Sequence, residues 1–233
     1  MRDRKLTNKQ TETLLIAYKF RFITTHNLAK HRNITHNSAY SALEILTNAG
    51  YLGRKHNKSY RLQNKPASYY LTPQAVLYLM KSDLNVNKDI LKSRFREHAK
   101  SSEFIDQQVA IHAAYLDITQ KLGSFAEVKT GTEIASIEGM IKPMPSLLVQ
   151  SKKGRSYFIE LTDDQHLFIV KKRVRKYIDH YESDDWEGDK YPNVHIIRNS
   201  KADQRKLKEY VEEKMDDAYL DDEDFTISCL LAL

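Results

Sequence analysis

Residues 33–52, NITHNSAYSALEILTNAGYL, constrain the fold more than any other part of the chain. Thr35 can cap a helix here, because its hydroxyl can accept a hydrogen bond from a free backbone N–H of the first turn. The apolar residues that follow recur at spacings of three and four and so share one face: Ala39, Ala42, Leu43 and Leu46. Gly50 can adopt the positive φ that ends a helix. The segment predicts a capped helix with one apolar face that packs on a core.

The opposite face of this predicted helix is polar, yet no Lys or Arg lies between Thr35 and Gly50. Its side chains are hydrogen-bonding groups: Thr35, His36, Asn37, Ser38, Tyr40, Ser41 and Glu44. Such groups contact base edges and phosphates, whereas a structural surface helix usually mixes Lys with Glu. Because Arg makes the commonest bidentate contact with guanine, specificity would have to come from amide and hydroxyl groups, or be low.

Two further helices are predicted before this one. Thr7 can cap a helix with an apolar face formed by Leu14, Leu15, Tyr18 and Phe22. Thr25 can cap a second helix that contains Leu28 and Ala29. The gap from there to Thr35 leaves room only for a tight turn between crossing helices.

A basic hairpin is predicted after the helix. Tyr51 and Leu52 begin a strand, and residues 68–71 return it. The loop between them is rich in cations: Arg54, Lys55, Lys58, Arg61 and Lys65. We expect this loop to contact the phosphate backbone of a nucleic acid.

Roughly the first 80 residues resemble the winged helix-turn-helix family of DNA-binding proteins. The resemblance rests on the tight turn with a polar cap, Tyr40, the Leu43 and Leu46 pair, the helix exit at residues 48–52 and the return at residues 70–72. It implies that the helix after Thr35 enters the major groove of double-stranded DNA and that the basic loop is the wing. The alternative is a winged helix used only for protein contacts, against which the charge distribution argues.

Charge is divided unevenly along the chain. Residues 1–100 contain 19 Lys and Arg against 6 Asp and Glu, a net charge of +13, and residues 101–233 contain 18 against 25, a net charge of −7. A basic first half fits the neutralisation of DNA phosphates with release of counterions. In the acidic second half, Lys171, Lys172 and Arg175 cluster on a predicted helix, for which a second DNA contact and a solvated helix face both stay open.

Composition and spacing argue against several other classes of site. Cys229 is the single cysteine and lies in an apolar run, which predicts a buried thiol in a cytoplasmic protein without disulfides. No stretch approaches the roughly 20 apolar residues that cross a bilayer, so no membrane partner is expected. His26, His31 and His36 lie five residues apart without a Cys, so we expect helix caps or DNA contacts, no metal site and no cofactor.

The second half of the chain predicts a mixed sheet with flanking helices. The predicted strands lie at residues 125–129, 133–137, 146–150, 157–161, 194–197 and 225–233, and the predicted helices at 167–181 and 202–215. The strand at 157–161 is nearly all apolar and should be central. We therefore predict an α+β chain with a winged helix domain at residues 1–85, a linker or helix start at 86–97, and an α/β domain at 98–233.

Nearly the whole chain resembles the replication-relaxation family of plasmid and mobile-element proteins, which join a winged helix to a domain similar to the PD-(D/E)XK nuclease fold. The resemblance rests on Lys142-Pro143 before a strand, Phe158-Ile159-Glu160 on the next strand, and a Lys-rich helix that ends in Tyr177. It implies an accessory role in plasmid replication, DNA relaxation or mobilisation, alongside a relaxase or a replication initiator.

Nuclease activity in that fold needs an Asp and a Glu that hold Mg²⁺ and a Lys two residues after the Glu. Met144 stands where the Asp is expected and Thr162 where the Lys is expected, so only Glu160 remains. Substitutes would have to come from elsewhere: Glu133 or Glu138 for the Asp, and Lys171 or Lys172 for the Lys. The sequence thus favours a domain without catalysis, in which Glu160 is vestigial.

Three functions stay open at this point. The first is an accessory or regulatory protein that binds double-stranded DNA as a homodimer, because two winged helices on a repeated site multiply a modest affinity. The second is a metal-dependent DNA endonuclease guided by its winged helix. The third is a transcriptional regulator whose second domain responds to an effector.

Overall fold

The chain folds into two compact units that divide between Leu116 and Asp117. The computed structural model describes residues 6–56, 58–152, 154–163 and 165–231. Each unit combines helices with a β-sheet, which confirms an α+β chain. None of the helices in the described ranges has both the length and the apolar character that crossing a membrane requires.

The amino-terminal unit, up to Leu116, surrounds a small antiparallel sheet. Its helices are α1 (Asn8–Phe20), α2 (Thr25–Arg32), α3 (His36–Asn48), α4 (Lys58–Leu62), α5 (Pro73–Lys81) and α6 (Lys88–Lys92), followed by a 3₁₀ helix (Ser93–Ala99) and most of α7 (Ser102–Leu122). Its strands are β1 (Ile23–Thr24), β2 (Leu52–Lys55) and β3 (Ser68–Leu71). They pair in the order β1-β3-β2, with β3 in the centre.

Threonine side chains cap several of the helices of this unit. Four of them accept a backbone hydrogen bond in the first turn, at α1, α2, α3 and α5: Thr7, Thr24, Thr35 and Thr72. The prediction of Thr25 as a cap is wrong, because the chain leaves β1 one residue earlier and the backbone N–H of Asn27 donates to Thr24 Oγ1 at 3.2 Å. Gly50 follows α3 at a φ of +81°, as predicted, a conformation that costs glycine little.

The core of the amino-terminal unit lies between α1, α2, α3 and the sheet. Its fully buried side chains include Leu14, Leu28, Leu43, Leu46 and Tyr69. Ala39, Leu43 and Leu46 are inaccessible to solvent, which confirms the predicted apolar face of α3, while Ala42 is half-buried at its edge. Burial of each such leucine contributes about 1.5–3 kcal/mol, so this face holds α3 firmly on the sheet.

The residues that follow α5 also belong to the amino-terminal unit. Leu91 is fully buried there. The Glu97 carboxylate accepts two hydrogen bonds from the Arg21 guanidinium, at 2.9 and 3.1 Å. The sequence predicted that the first domain ends at residue 85. In the structure the compact unit that contains Leu91 and Glu97 extends to Leu116.

The carboxy-terminal unit, from Asp117, contains a five-stranded mixed sheet. Its strands are β4 (Ala126–Thr130), β5 (Leu147–Ser151), β6 (Tyr157–Leu161), β7 (Asn193–Ile197) and β8 (Ile227–Leu230). Its helices are a 3₁₀ turn (Gly123–Phe125), α8 (Gly131–Ile134), α9 (Leu167–Glu182) and α10 (Lys201–Asp217). The strand order is β4-β5-β6-β7-β8, antiparallel from β4 to β6 and parallel from β6 to β8. This confirms the predicted mixed sheet.

Strand β6 is central, as its apolar sequence predicted. Phe158 and Ile159 on this strand are buried on opposite faces of the sheet. Phe158 shares a core with residues of α9 and α10: Val170, Val174, Tyr177, Ile178, Leu207 and Val211. The two crossover helices therefore cover the face of the sheet that also carries Glu160, two residues beyond Phe158.

One predicted strand is wrong. Residues 133–137 were predicted to form a β-strand, but helix α8 occupies Gly131–Ile134. The Thr130 backbone N–H donates to Glu133 Oε2 at 2.8 Å, a reciprocal cap whose local hydrogen bonds compete with strand pairing. Lys153, between β5 and β6, lies outside the described residues, as do residues 232–233 of the predicted last strand.

Candidate functional site

The predicted polar face of α3 is exposed. Solvent reaches all six of the residues predicted for it at the start of the helix: Thr35, His36, Asn37, Ser38, Tyr40 and Ser41. The Ser38 backbone N–H donates to Thr35 Oγ1 at 3.2 Å, and the two hydroxyl oxygens lie 2.9 Å apart. Thr35 and Ser38 thus serve the cap, while the other four present their side chains to solvent.

Helical geometry identifies the outermost stripe of α3. Successive residues rotate by about 100° around a helix, so Asn37, Ser41 and Asn48 point away from the buried leucines. Ile45 flanks this stripe and is 49% exposed. The sequence prediction did not include Ile45 or Asn48, because an isoleucine in a helix with an apolar face is most simply assigned to the core.

Arg54 and Glu44 form an ion pair beside this stripe. Arg54 Nη1 on β2 lies 3.7 Å from Glu44 Oε1 on α3. Glu44 Oε1 is buried and has no hydrogen-bond donor among the described residues. The Arg54 guanidinium carbon lies 5.9 Å from the centre of the Tyr69 ring. Glu44 is therefore directed towards the sheet and contributes little to the outer polar surface, in contrast to the prediction.

The loop between β2 and β3 contains α4, which the sequence did not predict. Lys58 and Arg61 are exposed on α4, while Tyr60 is buried beneath them. Lys55 Nζ donates to the backbone carbonyl of His98 at 2.6 Å, and Lys65 Nζ lies 2.6 Å from Asp106 Oδ2. Of the basic residues predicted for this loop, Lys58 and Arg61 are thus directed to solvent, and Lys55 and Lys65 anchor the loop to the following segment.

His31 was predicted to be a helix cap or a DNA contact, but in the structure it is half-buried and paired with a second histidine. Its Nδ1 lies 3.1 Å from Nε2 of His112 on α7. His112 is inaccessible to solvent and stacks on Phe20 with a ring separation of 3.8 Å. Burial, with a smaller contribution from His31, lowers the pKa of His112 to about 3. Burial also lowers the pKa of His31, so the pair is neutral at pH 7.

Glu160 is buried in an ion pair in the carboxy-terminal unit. Its Oε1 accepts a hydrogen bond from Arg173 Nε at 2.6 Å and one from the Tyr177 hydroxyl at 2.5 Å. Arg173 Nη2 also donates to the Tyr177 oxygen at 3.1 Å. Burial, followed by the charge of Glu160, raises the pKa of Tyr177 well above its ordinary value. The sequence prediction missed Arg173, although its spacing from Val170 and Tyr177 places it on the apolar stripe of α9.

The residues around Glu160 do not fit a magnesium ion. Arg173 Nε lies 2.6 Å from Glu160 Oε1, so a cation of the chain itself already pairs with this carboxylate. Thr162, where the Lys was expected, is buried and donates its hydroxyl to the Ile197 carbonyl at 3.0 Å. Glu133, a candidate substitute, is used in the cap of α8. Within the described ranges, no group of three or more His, Cys, Asp and Glu side chains could hold a metal ion.

The predicted basic face of α9 lies against aromatic rings. Lys171 Nζ is 4.5 Å from the centre of the Tyr210 ring, and the guanidinium carbon of Arg175 is 5.9 Å from the same ring. Lys172 Nζ is 4.4 Å from the ring of the exposed Phe168. Lys172 and Arg175 are exposed and Lys171 is half-buried, so the structure brings all three cations to one helix face.

A cavity of about 520 Å³ opens beside the loop after α8. Its lining includes Ile137, Glu138, Met140, Lys142, Met144, His180 and Asp185. Both ring nitrogens of His180 are occupied, by the Gly139 carbonyl at 2.7 Å and by the Tyr191 hydroxyl at 2.9 Å. Cys229 lies elsewhere in this unit; burial raises the pKa of its thiol to about 11, which leaves little reactive thiolate.

Comparisons of the sequence with protein-family models and with curated proteins find no match. On the α3 surface, amide, hydroxyl and imidazole groups lie beside one exposed isoleucine, and the neighbouring hairpin adds the cations of Arg54, Lys58 and Arg61. This combination can contact base edges and phosphates at the same time.

Proposed function

We propose that the chain binds double-stranded DNA through a winged helix formed by α1, α2, α3 and the sheet β1-β3-β2. The observation that carries this proposal is the exposed polar stripe of α3 beside a hairpin that holds Arg54, Lys58 and Arg61. In this proposal α3 enters the major groove, and the loop with α4 lies on the phosphate backbone.

The distribution of charge supports this orientation. The +13 net charge of residues 1–100 attracts a polyanion, and the α4 cations extend from the same unit. Lys58 and Arg61 are exposed, and neither forms an ion pair with another of the described residues, so both are available to neutralise phosphates. Lys55 and Lys65 hold the loop in place and leave the contacts to their neighbours.

The carboxy-terminal unit supports an accessory role. Its three antiparallel strands followed by a parallel crossover are compatible with the nuclease-like domain that the replication-relaxation resemblance implies. The pairing of Glu160 with Arg173 argues against metal-dependent cleavage. We therefore propose a cytoplasmic, non-catalytic homodimer that acts in plasmid or mobile-element replication, relaxation or mobilisation with a relaxase or replication initiator, and in which Lys171, Lys172 and Arg175 make a second DNA contact.

The test is binding of the full chain to a labelled duplex, measured by fluorescence anisotropy over a series of salt concentrations. We expect binding that weakens steeply with salt, because counterions are released. Lys58→Glu with Arg61→Glu should weaken it strongly, whereas the control Lys81→Glu with Lys88→Glu, which changes net charge equally on exposed residues, should weaken it much less. Absence of binding in dilute buffer contradicts the proposal, and equal losses in both variants contradict the assignment of α4.

The biological context needs a separate measurement. Footprinting on DNA that flanks the chain's own gene should show protected half-sites with two-fold symmetry if a homodimer binds. A single unsymmetrical footprint would contradict the dimer. Plasmid DNA incubated with the protein and Mg²⁺ or Mn²⁺ should stay intact, and cleavage that Glu160→Ala abolishes would establish the endonuclease instead.

An effector-responsive regulator is the second candidate function. The cavity of about 520 Å³ in the carboxy-terminal unit favours it, because a small ligand could contact Glu138, Lys142 and Asp185 there. A small molecule that shifts both the unfolding midpoint and the DNA affinity would support this function. In Met140→Trp the larger side chain should fill the cavity and abolish both shifts. If the unfolding midpoint and the DNA affinity still shift in this variant, the ligand binds elsewhere.

A further inference from the structure

The outer surface of α3 matches the chemistry of adenine–thymine pairs. We propose that α3 recognises A·T base pairs in the major groove, with the Asn37 amide on an adenine and the Ile45 side chain on a thymine methyl group. This inference rests on the proposed binding of double-stranded DNA.

Asn37 is placed to make the adenine contact. It lies in the first turn of α3, on the stripe opposite the buried leucines, and is exposed. No hydrogen bond within the described part of the chain occupies its amide. An asparagine amide donates to adenine N7 and accepts from adenine N6, a pair of bonds that no other base offers in the major groove.

Ile45 supplies the apolar contact. Its side chain is 49% exposed although α3 has a complete apolar face on the opposite side. It lies eight residues after Asn37, about 12 Å along the helix axis, so the two side chains meet different base pairs. Thymine is the only base with a methyl group at the major-groove edge, and an exposed isoleucine gains by burial against it.

The side chains that most often recognise guanine are missing from α3 itself. Arg and Lys make the usual contacts with guanine, and α3 contains neither. Glu44 could accept from cytosine N4, but its Oε1 is buried 3.7 Å from Arg54. Each unpaired guanine or cytosine edge would lose its hydrogen bonds to water without replacement.

Preference for A·T pairs could also arise from DNA shape. A narrow minor groove in A-tracts attracts Arg and Lys, and the α4 cations could respond to it. The two origins differ in location, because the thymine methyl and adenine N7 lie only in the major groove. Base analogues that alter these two groups therefore separate contact by α3 from recognition of shape.

The experiment starts with selection of duplexes from a random library by the full chain. We expect enriched sequences with an A·T-rich core. In the enriched duplex, uracil in place of the contacted thymine removes one methyl group and should weaken binding about fourfold. Replacement of the contacted adenine by 7-deazaadenine removes the N7 acceptor and should weaken it about tenfold.

Two variants connect each analogue to its residue. Ile45→Ala should be insensitive to uracil and still sensitive to 7-deazaadenine, and Asn37→Ala should show the reverse. Leu77→Ala and Asn85→Ala alter exposed residues outside α3 and should respond to both analogues as the unaltered chain does. G·C-rich enrichment, or equal sensitivity of all variants, overturns the inference. Binding without base preference overturns it and leaves the proposed function standing, whereas no binding to any duplex overturns both.

Discussion

Arg21 and Glu97 form a two-bond ion pair that joins the end of α1 to the 3₁₀ helix 76 residues later. The Glu97 side chain is completely buried, and Arg94 Nε lies 3.9 Å from its Oε1. Burial, with the nearby charge of Arg21, lowers the pKa of Arg94 to about 10. Arg21 itself adopts a φ of +67°, which a residue with a Cβ rarely does, so the pair also holds a strained turn.

Removal of the Glu97 charge should destabilise the amino-terminal unit. In Glu97→Gln the two guanidinium groups lose their shared carboxylate, and a buried charge without a partner costs about 3–5 kcal/mol. Urea unfolding of the full chain measures the loss. Asp89→Asn breaks the exposed Asp89–Lys92 pair instead and should leave the midpoint nearly unchanged. Equal midpoints for the two variants would show that Glu97 is not structurally important.

The free energy of unfolding should decrease as the pH drops, because of the His31–His112 pair. The pKa of His112 is about 3 in the folded chain, against an ordinary value of 6.5, so protons bind the unfolded chain first as the pH drops. The stabilisation is complete above about pH 6.5 and is lost progressively below it, by up to about 1.4 kcal/mol per pH unit.

His112→Phe tests this dependence. Phenylalanine keeps the stack on Phe20 and cannot be protonated, so stability should depend less steeply on pH between about 5 and 7 than in the unaltered chain. The free energy of unfolding is measured at each pH for both proteins. Parallel curves would mean that carboxylates alone cause the acid sensitivity.

The Glu160–Arg173 pair should be needed for stability and indifferent to metal. Glu160→Gln leaves Arg173 buried without its partner and should cost about 3–5 kcal/mol, part of which the double variant with Arg173→Met should recover. Mg²⁺ should not shift the unfolding midpoint of the unaltered chain beyond the effect of NaCl at equal ionic strength. A specific rise with Mg²⁺ would show that the carboxylate can bind metal after all.

Individual cations of the β2–β3 loop should contribute unequally to the salt dependence of DNA binding. Lys58→Ala and Arg54→Ala should weaken binding to all duplexes and reduce the slope of log affinity against log salt by about one each. Lys55→Ala should change the slope less, because its ammonium donates to the His98 carbonyl. The reverse order would indicate that Lys55 leaves this carbonyl when DNA binds.

Local patterns predicted the elements that carry the candidate site. The Thr35 cap, the apolar spacing up to Leu46 and Gly50 define α3 from within a few residues, and the structure confirms each of them. The alternating and apolar runs likewise predicted β5 and β6. The same short-range logic failed at residues 133–137, where a cap between Thr130 and Glu133 outweighs strand propensity.

Long-range partners could not be predicted in this way. Spacing alone places Arg173 on the apolar stripe of α9, but only the packing of α9 on β6 brings its guanidinium against Glu160. His31 and His112 lie 81 residues apart, and nothing local links them. The exposure of Lys58 and Arg61 likewise depends on the anchoring of the loop by Lys55 and Lys65.

The sequence by itself determined the cap and extent of α3, the apolar faces and where charge accumulates, since periodicity and capping depend on near neighbours. The tertiary structure alone decided which charged and polar side chains are buried in pairs and which face solvent. A buried charge loses its water and is stable only when it is paired, often with a residue far away in the sequence. Which side chains form such pairs therefore follows from packing and not from sequence order.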